Sequence, residues 1–317
     1  MTKFADFLNG YWKRVDDLGH LALILHDWER IPDRVDSDID YVISGPTPRE
    51  LVRLLNDYCC ENDWSLIQII EHEVDALYCV CFQKEEPFRF LLLDVTWDYR
   101  RKGIDLIPNE LLIDDARQPP GRSFRVPAPR VEFLYRLVKA AAKKKDLGKL
   151  PELDTALKAL YDDDPAGCEK AVKEVADLNE GGSYEQIRAK FTSAPYFRRI
   201  REGRRFGLRE LKLYLKRILN PTGLVVEYGD WISESDARAA MEILNKGFRK
   251  TRFESQAGGR LFDLKLRIMS TLIVRPAGKG GDLSLLKKGP GADSDVTFFV
   301  KAVLKFMESR VNRRWIK

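Results

Sequence analysis

Mixed α/β (α+β) architecture in three parts is the fold class that these 317 residues predict. Three observations carry it. Helix-period segments and short apolar runs alternate over 1–107, the pattern of a small mixed sheet with helices. Prolines crowd 108–130 and open a series of helical patterns that reaches 219, and from 220 a turn, a short apolar strand, a glycine and a helix follow one another. A hydrophobic content of 44% suffices for several packed cores in a chain of this length.

In the first part, Phe4, Phe7, Leu8, Tyr11, Trp12, Val15 and Leu18 recur at helical spacing and predict an amphipathic helix over 3–18. An apolar strand follows at 20–26, Pro32 interrupts it, and a second strand runs through Val35 to Ile43. Thr47 and Pro48 sit where a cap and a first-turn proline belong, ahead of a helix over 49–61. Three extended segments complete this part, at 64–70, 75–83 and 88–97.

Asp38 and Asp40 stand at i and i+2 in the second strand, so one face carries both carboxylates while Ile39, Tyr41 and Ile43 take the other. Paired acids repel unless a cation lies between them, and hard oxygen ligands suit Mg²⁺ or Mn²⁺. An Asp-x-Asp pair alone also fits a cap or turn at a strand end. Asp94 adds a third acid, set between the apolar runs Phe90–Leu93 and Val95–Trp97, where an unpaired charge is costly.

Helix, strand, strand, helix and three strands, with Asp38, Asp40 and Asp94 on the second and last strands, resemble the DNA polymerase beta-like nucleotidyltransferase superfamily. Where that family carries a Gly-Gly or Gly-Ser turn about a dozen residues before its acid pair, this chain has His26-Asp27. The run Leu25-His26-Asp27-Trp28-Glu29-Arg30-Ile31-Pro32, with Trp97-Asp98-Tyr99-Arg100-Arg101-Lys102-Gly103 after the third acid, looks like a subgroup found among polysaccharide-biosynthesis genes. The resemblance implies a nucleotidyltransferase-like palm over 1–107 that transfers a nucleoside monophosphate from a nucleoside triphosphate to an unidentified acceptor. It implies Asp38, Asp40 and Asp94 as catalytic and metal-binding residues with Mg²⁺ or Mn²⁺, and His26 and Asp27 at the nucleotide-binding turn. Arg30, Arg34, Arg100, Arg101 and Lys102 are candidates to neutralise phosphate, and His26 equally fits a structural histidine at a strand end.

The part over 108–219 reads as a linker and helical domain. Val131, Phe133, Leu134, Leu137, Val138 and Ala141 make 130–145 an amphipathic helix, and helices over 151–161 and 165–178 each start at a proline. Nothing in these helices reads as catalytic. Residues 188–217 are basic and interleaved with Phe191, Tyr196, Phe197, Phe206, Leu211 and Tyr214, a pattern of a solvated or membrane-adjacent face more than of nucleic-acid recognition. No sequence-specific nucleic-acid binding is expected.

Over 220–317, Leu224–Tyr228 reads as a buried strand, and Ser233 or Ser235 as the cap of a helix over 236–245. In the polysaccharide-linked proteins a thymidylate kinase-like domain with a P-loop stands here; on that likeness Glu234, Ser235 and Asp236 occupy the places of glycine, lysine and hydroxyl, so the unit is a truncated, degenerate P-loop-kinase-like one. The likeness continues weakly through 248–253 and the glycine-rich 276–291. A last helix over 296–310 leads to Arg313, Arg314, Trp315 and Lys317, whose charges make an anionic membrane surface a candidate contact.

The net charge of +5 is mild. No apolar run reaches bilayer length, the start of the chain has no signal-peptide core, and the five cysteines lack metal-finger spacing with the three histidines. A cytoplasmic location with free thiols is the expectation. Two functions stay in play, metal-dependent nucleotidyl transfer and a non-catalytic scaffold or regulatory subunit on a degenerate nucleotidyltransferase fold.

Overall fold

A computed structural model describes residues 3–316, apart from 86, 102, 146, 177–181, 191–194, 203–206, 249, 255–263, 266, 270, 278–280 and 286–293. The content is α+β, in two compact units that each gather separate stretches of sequence. One holds Met1–Pro46, Glu73–Ala76 and Asp94–Glu210, and the other Thr47–His72, Leu77–Leu93 and Leu211–Lys317.

In the first unit, helix α1 (Lys3–Asp17) buries Phe7, Leu8, Tyr11, Trp12 and Val15, the stripe that its periodicity predicts. Strands β1 (Leu21–Ile24) and β2 (Ile39–Ser44) pair antiparallel, from Leu21 opposite Ser44 to Ile24 opposite Tyr41. The Ile24 amide donates to the Arg125 carbonyl at 3.0 Å, so part of the proline-rich stretch covers the outer edge of β1. On its other side β2 neighbours β5 (Phe90–Thr96), whose end from Asp94 belongs to this unit. A hairpin that the sequence pattern did not announce follows, β6 (Tyr99–Arg101) with β7 (Ile104–Ile107), then the short α3 (Asn109–Leu112).

Helix α4 (Pro129–Ala142) is the central post of this unit. Ten of its residues are buried, so its apolar surface runs almost all round, as in a helix enclosed by neighbours. Helices α5 (Pro151–Asp163), α6 (Pro165–Ala176), α7 (Tyr184–Lys190) and α8 (Pro195–Glu202) contribute to the same core, which holds Phe133, Leu157, Cys168, Tyr184 and Phe197. Tyr196 and Phe197, expected on a basic surface, are buried here, whereas Phe191 and Phe206 lie outside the described residues.

In the second unit, Thr47 caps α2 (Pro48–Glu61) ahead of a first-turn proline, as the Thr-Pro start predicts, and Glu50 completes a reciprocal capping box. Strand β4 (Ala76–Gln83) lies between β5 and β3 (Trp64–Glu73). Helix α9 (Leu208–Leu219) precedes a second, all-parallel sheet of β8 (Leu224–Tyr228), β9 (Lys250–Phe253), β10 (Thr271–Pro276) and β11 (Leu283–Leu285) in the order β11-β8-β10-β9. Helices α10 (Glu234–Asn245) and α11 (Asp295–Val311) pack together against it, with Ala237, Ala240, Leu244, Phe299, Val303 and Met307 in the core. Neighbouring strands bury an ion pair, Arg275 on β10 with Glu227 on β8 at 3.3 Å, both under 4% exposed. All five cysteines are free, four of them buried and Cys60 exposed.

Gly223, at the entry to β8, has its amide on the Arg267 carbonyl at 2.9 Å. A Cβ there would stand 2.5 Å from the Arg267 Cα and 2.7 Å from the Thr271 carbonyl oxygen, both backbone atoms that cannot turn aside. Gly223→Ala is therefore expected to cost about 1–3 kcal/mol, as other overpacked positions do, and to lower the melting temperature. A thermal melt unchanged by the substitution would contradict the close approach.

Candidate functional site

The chain turns sharply between β1 and β2. Asp27 sits in the left-handed region, φ 55°, which glycine adopts freely and which Asp tolerates better than most residues. Asp27 therefore makes this tight turn without a glycine. A 3₁₀ turn over Trp28–Arg30 follows, and the stretch up to Ile39 encloses a cavity of about 360 Å³. His26, Asp27, Arg30, Arg34 and Asp38 all line it.

Asp38 does not share a strand with Asp40. It immediately precedes β2 and is half-buried on the cavity wall, whereas Asp40 is the second residue of β2 and belongs to a network behind His26. Asp40 is only 16% exposed at its side chain, and three groups meet its carboxylate. Lys139 Nζ lies 2.9 Å from Oδ2, His26 Nε2 3.0 Å from Oδ2, and the Tyr135 hydroxyl donates to Oδ1 at 3.4 Å. Asp94, on the neighbouring strand, acts with Asp40 on the phenols of Tyr99 and Tyr135, so the two acids approach a common pair of rings. Among the described residues no group of three or more His, Cys, Asp or Glu is placed to hold a metal ion, and the three acids expected to converge do not make one.

Lys139 and Tyr135 come from α4, and so do Glu132 and Arg136. These positions are three or four residues apart and therefore share one helix face. Glu132, 2% exposed, accepts from Trp28 Nε1 at 3.3 Å and from Arg136 Nε at 2.9 Å, and Arg136 reaches Asp27 at 3.2 Å. The Tyr135 ring stacks on His26 with centroids 5.8 Å apart. None of these four residues was singled out from the sequence, where the helix read as structural. The signal present is Glu132 and Lys139 inside a stretch whose other periodic positions are apolar.

Burial dominates the charge balance and works against it. It disfavours the carboxylate of Asp40, but the hydrogen bond from His26 and the charges of Lys139 and His26 outweigh it and hold the Asp40 pKa well below the ordinary carboxylate range. His26 loses by burial too, yet hydrogen bonds with Asp27 and Asp40 more than compensate and raise its pKa above 6.5. Its Nδ1 is 2.6 Å from Asp27, whose own pKa the His26 hydrogen bond pulls down to about 2. Lys139 Nζ is also 2.7 Å from His26 Nε2. A neutral imidazole accepts that bond from Lys139, and a protonated one donates to Asp40 and leaves Lys139 with Asp40 alone.

The basic candidates divide. Arg34 Nε binds Asp36 at 2.6 Å and Arg30 reaches the same acid at 3.7 Å, both guanidiniums remaining about two-thirds exposed on the cavity rim. Arg100 is taken by Asp105 at 2.5 Å and Asp75 at 3.4 Å, whereas Arg101, the next residue on β6 and thus on its other face, bonds Tyr99. Lys102 lies outside the described residues. In the second unit Ser233 caps α10 by accepting from the Asp236 amide at 3.1 Å, its hydroxyl donates to the Asp236 carboxylate at 2.7 Å, and Glu234 pairs with Arg238 at 2.6 Å.

No protein-family model and no curated protein matches the sequence. Two solved structures are similar at 12% identity. JHP933 from Helicobacter pylori aligns over 68% of this chain and 97% of its own with a TM-score of 0.29. An antigenic nucleotidyltransferase-like protein from Paracoccidioides brasiliensis aligns over 60% and 93% with a TM-score of 0.34.

The raised His26 pKa gives a signed dependence on pH. Its contribution to stability is complete below the unfolded value of 6.5 and is lost as pH rises through the folded value. Melting temperatures from pH 5 to pH 9 are expected to fall more steeply for the wild type than for His26→Gln above about pH 6.5. Parallel curves would show that His26 takes no part in the balance.

Proposed function

We propose that this chain is a nucleotidyltransferase-like protein whose first unit binds the phosphates of a nucleoside triphosphate in the cavity between His26 and Ile39. The supporting observation is that His26, Asp27, Arg30, Arg34 and Asp38 line one cavity while Asp40 and Lys139 stand directly behind it. Arg30 and Arg34 on the rim offer planar, bidentate donors suited to phosphate. Lys139, bonded to His26 at 2.7 Å, adds positive charge behind the cavity wall.

Mg²⁺ or Mn²⁺ is the cofactor that the likeness implies, and the residues around Asp40 do not fit it. The ammonium of Lys139 stands 2.9 Å from the carboxylate that would have to hold the ion, with His26 on the same oxygen. A divalent ion there would meet the Lys139 ammonium, and a second cation whenever His26 is protonated. The reading therefore favours a nucleotide-binding, non-catalytic or regulatory role, with Lys139 supplying the charge that a metal supplies elsewhere.

Nucleotidyl transfer to an unidentified acceptor is the second reading, favoured by Asp40 and Asp94 on adjacent strands. It asks Asp94 to take the acceptor's proton, which requires hydrogen-bond reach of that hydroxyl. The link to polysaccharide biosynthesis and the anionic membrane contact rest on the sequence likeness and on composition. The unit beyond 220 we read as kinase-derived. Its parallel sheet has a glycine turn after β8 and neighbours β10 and β11 on either side, where a doubly wound fold binds phosphate. Glu234 and Asp236 at the start of α10 disfavour an anion there, so no phosphoryl transfer is expected from this unit.

Calorimetric titration with each nucleoside triphosphate tests the reading. Binding is expected in EDTA as well as in Mg²⁺, weakened about tenfold in Arg34→Gln through loss of one charge-assisted contact. Absence of binding by the wild type would refute it. Label transfer to a lysate acceptor that needs Mg²⁺ and disappears in Asp40→Ala would replace it with the catalytic reading.

A further inference from the structure

The second unit holds a cavity of about 460 Å³ whose walls divide into two kinds. Ile67, Met307, Val311 and Trp315 are apolar, and Arg267, Arg310, Arg313 and Arg314 are cationic. No Asp or Glu is among the described residues that line it. Arg310 and Arg314 spend their donors on neutral carbonyls, Arg310 on Gly223 at 3.0 Å and Pro221 at 2.8 Å, and Arg314 on Asn220 at 2.9 Å. The acid that acts on Arg314, Glu71, is 4.0 Å away and already bound by Lys216 at 2.6 Å, and the acid that acts on Arg310, Asp282, is already held by Arg267 at 2.6 Å. Burial lowers the pKa of both arginines, the mark of cations withdrawn from water without a full counter-charge.

Two further atoms on this wall are unsatisfied. Arg267 gives one terminal nitrogen to Asp282 at 2.6 Å, but its buried Nε has no partner. Gln68, 2% exposed, has a buried Oε1 with no partner, while its Nε2 donates to the Thr222 carbonyl at 3.4 Å. Arg313 is exposed, and the bond of its Nε to the Ser309 carbonyl leaves its terminal nitrogens for a ligand. Trp315 lies in a π-helical turn over Asn312–Ile316, and Lys216 Nζ sits 5.1 Å from its ring centroid.

We propose that this cavity is a binding site for a phosphate monoester carried on an apolar body. The guanidiniums match the planar, bidentate demands of phosphate. The apolar wall gives the rest of the molecule a place that inorganic phosphate cannot use, and the volume is that of a small-molecule pocket. The same chemistry is presented by a soluble aryl or acyl phosphate and by the headgroup of an anionic phospholipid. None of the site's lining residues belongs to the lining of the cavity between His26 and Ile39 or to the turn after β8.

Two probes on the full-length protein distinguish the sources. Calorimetry with 1-naphthyl phosphate reports a soluble ester, and co-flotation with phosphatidylcholine vesicles containing phosphatidic acid reports a lipid headgroup. Saturable binding of at least one probe is expected. Inorganic phosphate should bind more weakly than the naphthyl ester, and Arg313→Gln should weaken the successful probe about tenfold. Arg313 is exposed and outside the core, so its variant should melt with the wild type. Lys170→Gln, which removes the same charge from an exposed site on α6, should bind like the wild type. Failure of both probes, or equal loss in Arg313→Gln and Lys170→Gln, would overturn the proposal.

Discussion

A carboxylate withdrawn from water must be met by a cation, and the first unit is arranged around one such meeting, Asp40 with Lys139 at 2.9 Å. The two side chains arrive from different layers, Asp40 from a strand of the sheet and Lys139 from the helix packed within the core. Their contact fixes which face of α4 looks toward the cavity. Tyr135 and Arg136 follow by helical periodicity, and through them His26 and Asp27 are held at the turn after β1.

This arrangement gives α4 two tasks with conflicting demands. Burial on nearly every side stabilises the unit, but each polar group on such a helix needs a partner, since an unpaired one costs about 1–3 kcal/mol. Glu132 is satisfied by Trp28 and Arg136, and Lys139 by Asp40 and His26. The polar groups are thus paired mostly across the boundary between helix and turn. Opposite them, Arg30 and Arg34 remain exposed and share one acid, Asp36.

Local features were legible in the sequence wherever their cause was local. The stripe of α1, the Thr47 cap and first-turn proline of α2 and the buried strand β8 depend on residues within a few positions of one another, and all three stand where their patterns put them. The cavity over 26–39 is likewise built from one stretch between two strands. Lys139 was not legible, because its partner lies in a distant part of the chain and an amphipathic pattern cannot say which strand a helix will meet. Asp27 hid the tight turn, since glycine is the residue that usually signals a positive φ. The basic stretch before 217 mixed two fates. Its α8 aromatics are core, whereas Leu211 and Tyr214 on α9 are exposed.

The central claim is that Asp40 and Lys139 act as one electrostatic unit, and a double-mutant cycle measures it most directly. Denaturant unfolding of the wild type, Asp40→Asn, Lys139→Met and the double variant yields the coupling free energy. Lys139→Met is expected to be strongly destabilising because it leaves a buried carboxylate unpaired, and the double variant should recover part of that loss, with a coupling of about 1–3 kcal/mol. Additivity of the two single effects to within about 0.5 kcal/mol would contradict the account.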